Sequence, residues 1–249
     1  MARTLTLLIA LLLSILATGM AHAGQAHIAV ASNFVAPMKT LASQFEQATG
    51  HTLTLSSGAT GKFYAQIKHG APFDVLLAAD DDTPARLVRE GDGNTRFTYA
   101  IGRLALWSAK PELLDGTDAV LKQNRFRRLA IASPKLAPYG AAAGEVLAKL
   151  KLTDSVQGKF VIGENIAQTY QFVASGNAEL GFVALSQVMQ GSRLVGGSVW
   201  MVPATLHTPI RQDAVLLKHG ANNAAARALL DYLKTPAAQT IIRSYGYDR

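Results

Sequence analysis

The stretch Ala26-His27-Ile28-Ala29-Val30-Ala31-Ser32-Asn33-Phe34 runs from a short apolar segment into a small polar turn, and from Phe34 onward the residue spacing changes. Met38, Leu41, Ala42 and Phe45 then fall on one face at helical period, and Gly50 supplies a stop. A strand therefore feeds a helix through Ser32-Asn33. The same order recurs along the chain. Strands are expected over residues 27–31, 53–56, 75–79, 104–107, 129–132, 161–163 and 180–183, and helices over 34–48, 140–150, 167–175 and 224–233. Branched apolar runs alternating with helices indicate an α/β fold, a parallel sheet covered by helices.

Two stretches look like passages between lobes: Phe97-Thr98-Tyr99-Ala100-Ile101-Gly102-Arg103, and residues 203–211 with Pro209. Two crossings imply an inserted second lobe. Lobe I is expected to hold residues 24–102 with 208–249 and lobe II residues 103–207, with a cleft between them. No internal repeat is legible in the residues.

The first 23 residues have the character of an export signal, with Arg3 as the only charge, an apolar run from Leu5 to Leu16, and Ala21-His22-Ala23 before Gly24. Cleavage after Ala23 and a periplasmic destination follow as expectations. The apolar run is shorter than the roughly 20 residues that span a bilayer. Without this segment one of the 24 basic residues is lost against 17 acidic ones, leaving a net charge of +6. The basic residues are scattered, and aromatics do not interleave with them as in a strand-binding groove, so nucleic acid is not an expected partner. A positive field would instead speed the arrival of a dianion. The chain has no cysteine, which excludes thiolate zinc sites and requires stability without disulfides. His27, His51, His69, His207 and His219 never fall three or four apart, so no helical metal pair is visible.

Four strand-to-helix turns share one design: Ser32-Asn33, Gly58-Ala59-Thr60-Gly61, Pro138-Tyr139-Gly140 and Glu164-Asn165-Ile166. Helix starts leave backbone N–H groups without partners, and the helix dipole adds partial positive charge there. Several such ends aimed at one cleft make an anion site from neutral groups. Ser32 and Thr60 add hydroxyls, Asn33 can cap its helix or donate from its amide, and Tyr139 and Ile166 offer backbone N–H, with the Tyr139 phenol as an extra candidate donor. For any one turn taken alone, ordinary helix capping is a sufficient explanation.

The segments Ala29-Val-Ala-Ser-Asn33-Phe, Ser56-Ser-Gly-Ala-Thr60-Gly, Gly70-Ala-Pro-Phe-Asp74-Val, Arg96-Phe-Thr-Tyr-Ala-Ile-Gly102, Ala137-Pro-Tyr139-Gly, Glu164-Asn-Ile166 and Leu180-Gly-Phe-Val-Ala-Leu185 resemble those of the periplasmic molybdate-binding proteins, in order from about residue 27 to Tyr247. The resemblance implies a two-lobed type II periplasmic binding protein fold that takes molybdate or tungstate into the interlobe cleft as an oxyanion, without direct ligation of the metal, and delivers it to the membrane permease of an ABC transporter. It carries the ligand positions onto Ser32, Asn33, Thr60, Tyr139 and Ile166. One departure stands out. A branch of the family has a ligand tyrosine in the segment that here reads Gly181-Phe-Val-Ala184-Leu, and Ala184 has no phenol.

Rival readings are weaker. Gly58-Ala-Thr-Gly61-Lys62 lacks the spacing of a nucleotide phosphate loop, because Ser56 and Phe63 stand where a glycine and a hydroxyl residue are needed; Lys62 itself reads as a solvated helix-surface residue. A secreted serine hydrolase would want a G-x-S-x-G elbow, which is absent. Asp80-Asp81-Asp82 before Thr83-Pro84 reads as helix capping rather than a cation site. Sulfate and phosphate remain the competing oxyanions, and only Glu164 could serve as the acceptor that a protonated phosphate would use. No cofactor, catalytic residue or oligomer is expected; the chain reads as a monomer.

Overall fold

The computed structural model describes residues 23–191 and 193–248. The expected signal segment falls on residues 1–23, of which 1–22 lie outside the described residues. The chain begins with β1 (Gln25–Ala31), α1 (Val35–Thr49), β2 (Thr52–Gly58), α2 (Thr60–Lys68), β3 (Val75–Leu77), α3 (Asp82–Arg89) and β4 (Gly93–Gly102). It crosses into β5 (Leu104–Ser108), α4 (Ala119–Gln123), β6 (Leu129–Ala132), α5 (Pro138–Lys149), α6 (Thr153–Val156), β7 (Phe160–Gly163), α7 (Ile166–Ala174) and β8 (Leu180–Ala184). The short α8 (Leu185–Val188), the ribbon of β9 (Met189–Gln190) and β10 (Arg193–Leu194), and β11 (Ser198–Met201) follow. The chain then returns as β12 (Ile210–Leu217), α9 (Ala224–Leu233) and α10 (Pro236–Ser244).

Two five-stranded sheets result, ordered β2-β1-β3-β12-β4 and β7-β6-β8-β5-β11. Written this way they are the same sheet twice. In each, three strands are parallel, and an antiparallel fourth comes from the segment that has just crossed from the other lobe, β12 in one and β5 in the other. The repeat is topological and leaves no trace in residue identity, because any apolar strand of the right length satisfies it.

The expected parallel sheet covered by helices is present as three strands in each lobe, and antiparallel strands extend it, so both sheets are mixed. The overlooked members are β4, β11 and β12. β4 is an edge strand with a mostly exposed first half, and β12 buries Gln212 and Asp213 amid its apolar residues, so neither shows a clean apolar run. Among the strands that were legible, β1, β3, β5, β6 and β8 are largely buried, whereas the edge strands β2 and β7 are partly exposed. Ile28 and Val30 pack with Met38, Leu41 and Phe45 of α1 and with α9, while Ala29 and Leu76 meet Phe63 and Leu87 on the opposite side. In lobe II, Leu104 and Leu106 share a core with Val146 and Phe182, and Ala105 and Trp107 share one with Val173 and Val183. Burial on both faces explains the near-continuous apolar runs. Each fully buried Leu or Phe contributes about 1.5–3 kcal/mol.

The C-terminal edges of the parallel strands end in the helix-starting turns, and both sheets aim these edges at the cleft, the usual place for a ligand in an open α/β sheet.

Candidate functional site

Each of the four turns presents N–H groups that its own helix cannot use. α5 begins with Pro138, which has no N–H, and the first helical bonds run from Gly140 and Ala141 to Ala137, so the Tyr139 N–H is left over. In α7 the Asn165 side chain accepts from Ala167 and Gln168, both at 3.0 Å, and Thr169 bonds the Asn165 carbonyl. Ile166 N–H is again the remainder. Ser32 and Asn33 are the first two residues of a 3-10 turn ahead of α1, and Thr60 is the first residue of α2. Thr60 Oγ1 accepts the Ala79 N–H at 3.0 Å, which orients the hydroxyl and leaves its proton to donate.

All five residues expected from the sequence line one cavity, together with Ala31, Gly58, Ala59, Ala79, Ala137 and Pro138. All five are buried, from 1% exposed for Thr60 and Tyr139 to 8% for Ser32. The cavity is small, with a volume of ≈ 10 Å³. That is far below the roughly 300–1,000 Å³ of a pocket for an organic ligand. Its lining has no carboxylate, ammonium or guanidinium group. Larger hollows lie elsewhere. One, bordered by Asp80, Asp81, Lys135, Glu145 and Arg211, adjoins the cavity, and another, by Lys110, Arg127, Arg128 and Glu179, lies at the opposite, N-terminal edge of β6. The first also takes in helix starts, Thr83 of α3 and Pro138 of α5, but charged side chains line it, and the second has no such turns.

The helix starts approach closely because glycine permits it. A Cβ on Gly140 would lie 2.2 Å from the Ala132 carbonyl oxygen, so only glycine lets α5 begin directly against the end of β6. Across the cleft, Gly61 donates its N–H to the Leu136 carbonyl at 3.0 Å. Ser186 of lobe II donates to the Asn33 carbonyl at 3.0 Å, and Tyr247 donates to the same oxygen at 2.8 Å. Gln187 donates to the Ile166 carbonyl at 3.1 Å. These supporting residues were missed, because a serine or glutamine far away in sequence gives no local sign of the turn it will meet.

The Tyr139 phenol makes a contact with β12, and accepting there leaves its proton to donate. It accepts from Gln212 Nε2 at 3.1 Å and is fully buried, and burial raises its pKa well above the ordinary tyrosine value. Ala184 is buried at the end of β8 and is absent from the cavity lining. Glu164 points outward and pairs with Lys62, their charged atoms 2.6 Å apart. Lys62 is thus a cross-cleft partner rather than simply a solvated lysine. Asp80 takes the Thr83 N–H at 2.9 Å and the Thr83 hydroxyl at 3.1 Å at the start of α3, the capping expected for the acidic run.

Comparison with known proteins agrees with this architecture. A model of the family described as bacterial extracellular solute-binding protein matches residues 26–248. The chain is 59% identical over 229 residues to the molybdate-binding protein ModA of Azotobacter vinelandii, covering 91% of both chains. It is 52% identical over 229 residues to that of Rhodobacter capsulatus, covering 91% of this chain and 89% of the relative. The solved structure of the Azotobacter vinelandii periplasmic molybdate-binding protein superimposes with a TM-score of 0.87 at 42% identity, covering 90% of this chain and 99% of that one. The chain belongs to the bacterial extracellular solute-binding proteins, within the molybdate-binding ModA family.

Proposed function

We propose that this protein captures molybdate, or the nearly isosteric tungstate, as an intact oxyanion between its lobes and presents it to the permease of an ABC transporter. The observation that carries this reading is the convergence of helix-start N–H groups from both lobes, with the Ser32 and Thr60 hydroxyls, on one small cavity without a charged side chain. A tetrahedral dianion accepts several hydrogen bonds on each oxygen, and bonds to a charged acceptor are roughly twice as strong as neutral ones. Ser32, Asn33, Thr60, Tyr139 and Ile166 are the proposed ligand set, with Tyr139 and Ile166 acting through backbone N–H. The metal is never touched, and no cofactor takes part.

The absence of a carboxylate from the lining speaks against phosphate, whose protonated form would want an acceptor, and Glu164 is engaged with Lys62. The division into residues 24–102 with 208–249 and residues 103–207 is proposed as the pair of bodies that close on the anion; it follows the two sheets. Export to the periplasm, with removal of residues 1–23, and action as a monomer belong to the same proposal. No helix among the described residues is long and apolar enough to cross a membrane.

Isothermal titration with molybdate, tungstate, sulfate and phosphate tests the reading. One-to-one binding of molybdate and tungstate, with sulfate weaker and phosphate weakest, is the expected order. Equal or tighter binding of phosphate would overturn it.

A further inference from the structure

Behind the cavity, a buried amide joins the two halves of the site. Gln212, on β12, is fully buried, and its side chain reaches both lobes. Its Nε2 donates to Tyr139 OH at 3.1 Å, and its Oε1 accepts from Asn33 Nδ2 at 2.9 Å. Asn33 belongs to the lobe I turn of the proposed ligand set and Tyr139 to the lobe II helix start. Tyr99 OH lies 3.0 Å from the same Oε1, so one glutamine gathers three buried polar groups.

Two further features make room for this bridge. The ladder between β12 and β4 shifts register at Gln212: Gln212 pairs with Ala100 and Asp213 with Thr98, leaving Tyr99 as the extra residue. Bulges of this kind re-aim side chains beside functional sites, and here Tyr99 and Gln212 meet in one cluster. Gly102 supplies the second feature. A Cβ there would lie 2.2 Å from Tyr139 OH and 2.6 Å from Gln212 Nε2, so any other residue would evict the bridge. A leucine of similar volume in place of Gln212 would fill the space and remove one partner from each of Asn33, Tyr99 and Tyr139 in dry surroundings, Asn33 keeping Tyr247 and Tyr99 keeping the Ala78 carbonyl.

We propose that Gln212 is a positioning residue for anion capture, fixing the Asn33 turn of one lobe against the Tyr139 helix start of the other so that their N–H donors take the spacing of a single guest. This rests on the oxyanion reading above. Gln212 touches no guest and acts through Asn33 and Tyr139. Because the bridge joins residues of different lobes, its loss falls on the closed state, raising the rate of release and loosening the discrimination between molybdate and the smaller sulfate.

The test is a double-substitution cycle of wild type, Gln212→Leu, Tyr139→Phe and the double variant, with affinities for molybdate and sulfate, molybdate release rates and thermal midpoints. Each single change is expected to weaken molybdate binding roughly tenfold through faster release and to narrow the molybdate-to-sulfate ratio. The combined loss should fall short of the sum of the single losses, since both changes cut the Gln212–Tyr139 bond, while Gln212→Leu also removes the contacts to Asn33 and Tyr99. Fully additive losses, the sign of a phenol acting on the guest itself, would overturn the proposal. So would a Gln212→Leu protein with the release rate and anion ratio of the wild type. If Gln212→Leu does not fold, Gly102→Ala takes its place in the cycle and must show the same loss and the same non-additivity with Tyr139→Phe. A wild type that binds none of the oxyanions overturns the oxyanion reading as well, whereas a binding wild type with an indifferent Gln212 overturns this proposal alone.

Discussion

Lys62 at the start of α2 and Glu164 at the turn before α7 meet across the mouth of the cleft, Nζ to Oε2 at 2.6 Å, while both side chains stay well exposed to water, 43% and 62% respectively. The pair joins the two lobes, and neither residue belongs to the neutral lining of the cavity. An exposed ion pair is worth about 0–1 kcal/mol and is screened by salt. Lys62→Ala is therefore expected to weaken molybdate binding by less than about fivefold near physiological ionic strength, with the difference vanishing at high salt. Titrations at two salt concentrations check this; a large loss that persists in high salt would make Lys62 a ligand of the anion.

The hydroxyl donors should matter more. Ser32→Ala and Thr60→Ala are each expected to weaken oxyanion binding by about 1–3 kcal/mol, the range for losing a hydrogen bond to a charged partner. Thr60→Ala also strands the Ala79 N–H, so Thr60→Ser, which keeps the oxygen, should recover most of the loss. Calorimetry on the three proteins decides the matter, and wild-type affinity in both alanine variants would put the site elsewhere.

No group in the cavity lining titrates near neutrality. The nearby phenols of Tyr139, Tyr99 and Tyr247 have their pKa values raised, chiefly by burial, so they stay protonated. Molybdate affinity should consequently be flat between about pH 7 and 9. A titrating ligand group would instead give a slope approaching tenfold per pH unit, visible in the same calorimetric series.

Asp80 offers a prediction about stability. Burial lifts its pKa to about 6, with the Thr83 bonds opposing the rise and Asp82 and Asp81 adding to it. An acid whose pKa is higher folded than unfolded contributes stability while protonated, fully below about pH 4, and loses that contribution as the pH rises through about 6. Asp80→Asn can still accept the Thr83 N–H but never ionises. It should be more stable than wild type by about 1–3 kcal/mol at pH 7–8, with the advantage shrinking toward pH 4. Urea unfolding at both pH values measures this, and a variant less stable at pH 8 would show that the carboxylate's capping bonds outweigh its burial.

Much of the architecture was written in local pattern. The strand-to-helix order, the helix that ends before Gly50, and the turns holding Ser32, Thr60, Tyr139 and Ile166 were readable, because apolar period and helix-start chemistry act within a dozen residues. β4 and β12 escaped because they carry the crossings and mix polar with apolar residues. Gln212 and Asp213 are buried against partners on other elements, Asn33 and Tyr139 for the first, Arg96 and Thr98 for the second.

The residues alone therefore decided which turns own unused N–H donors, since a helix start leaves them free wherever it is placed. Only the three-dimensional packing decided that four such turns line one cavity, that the Tyr139 hydroxyl accepts from Gln212, and that Lys62 finds Glu164. Each of these joins groups far apart in the chain, and nothing within reach of a sequence window specifies where a distant segment will come to rest.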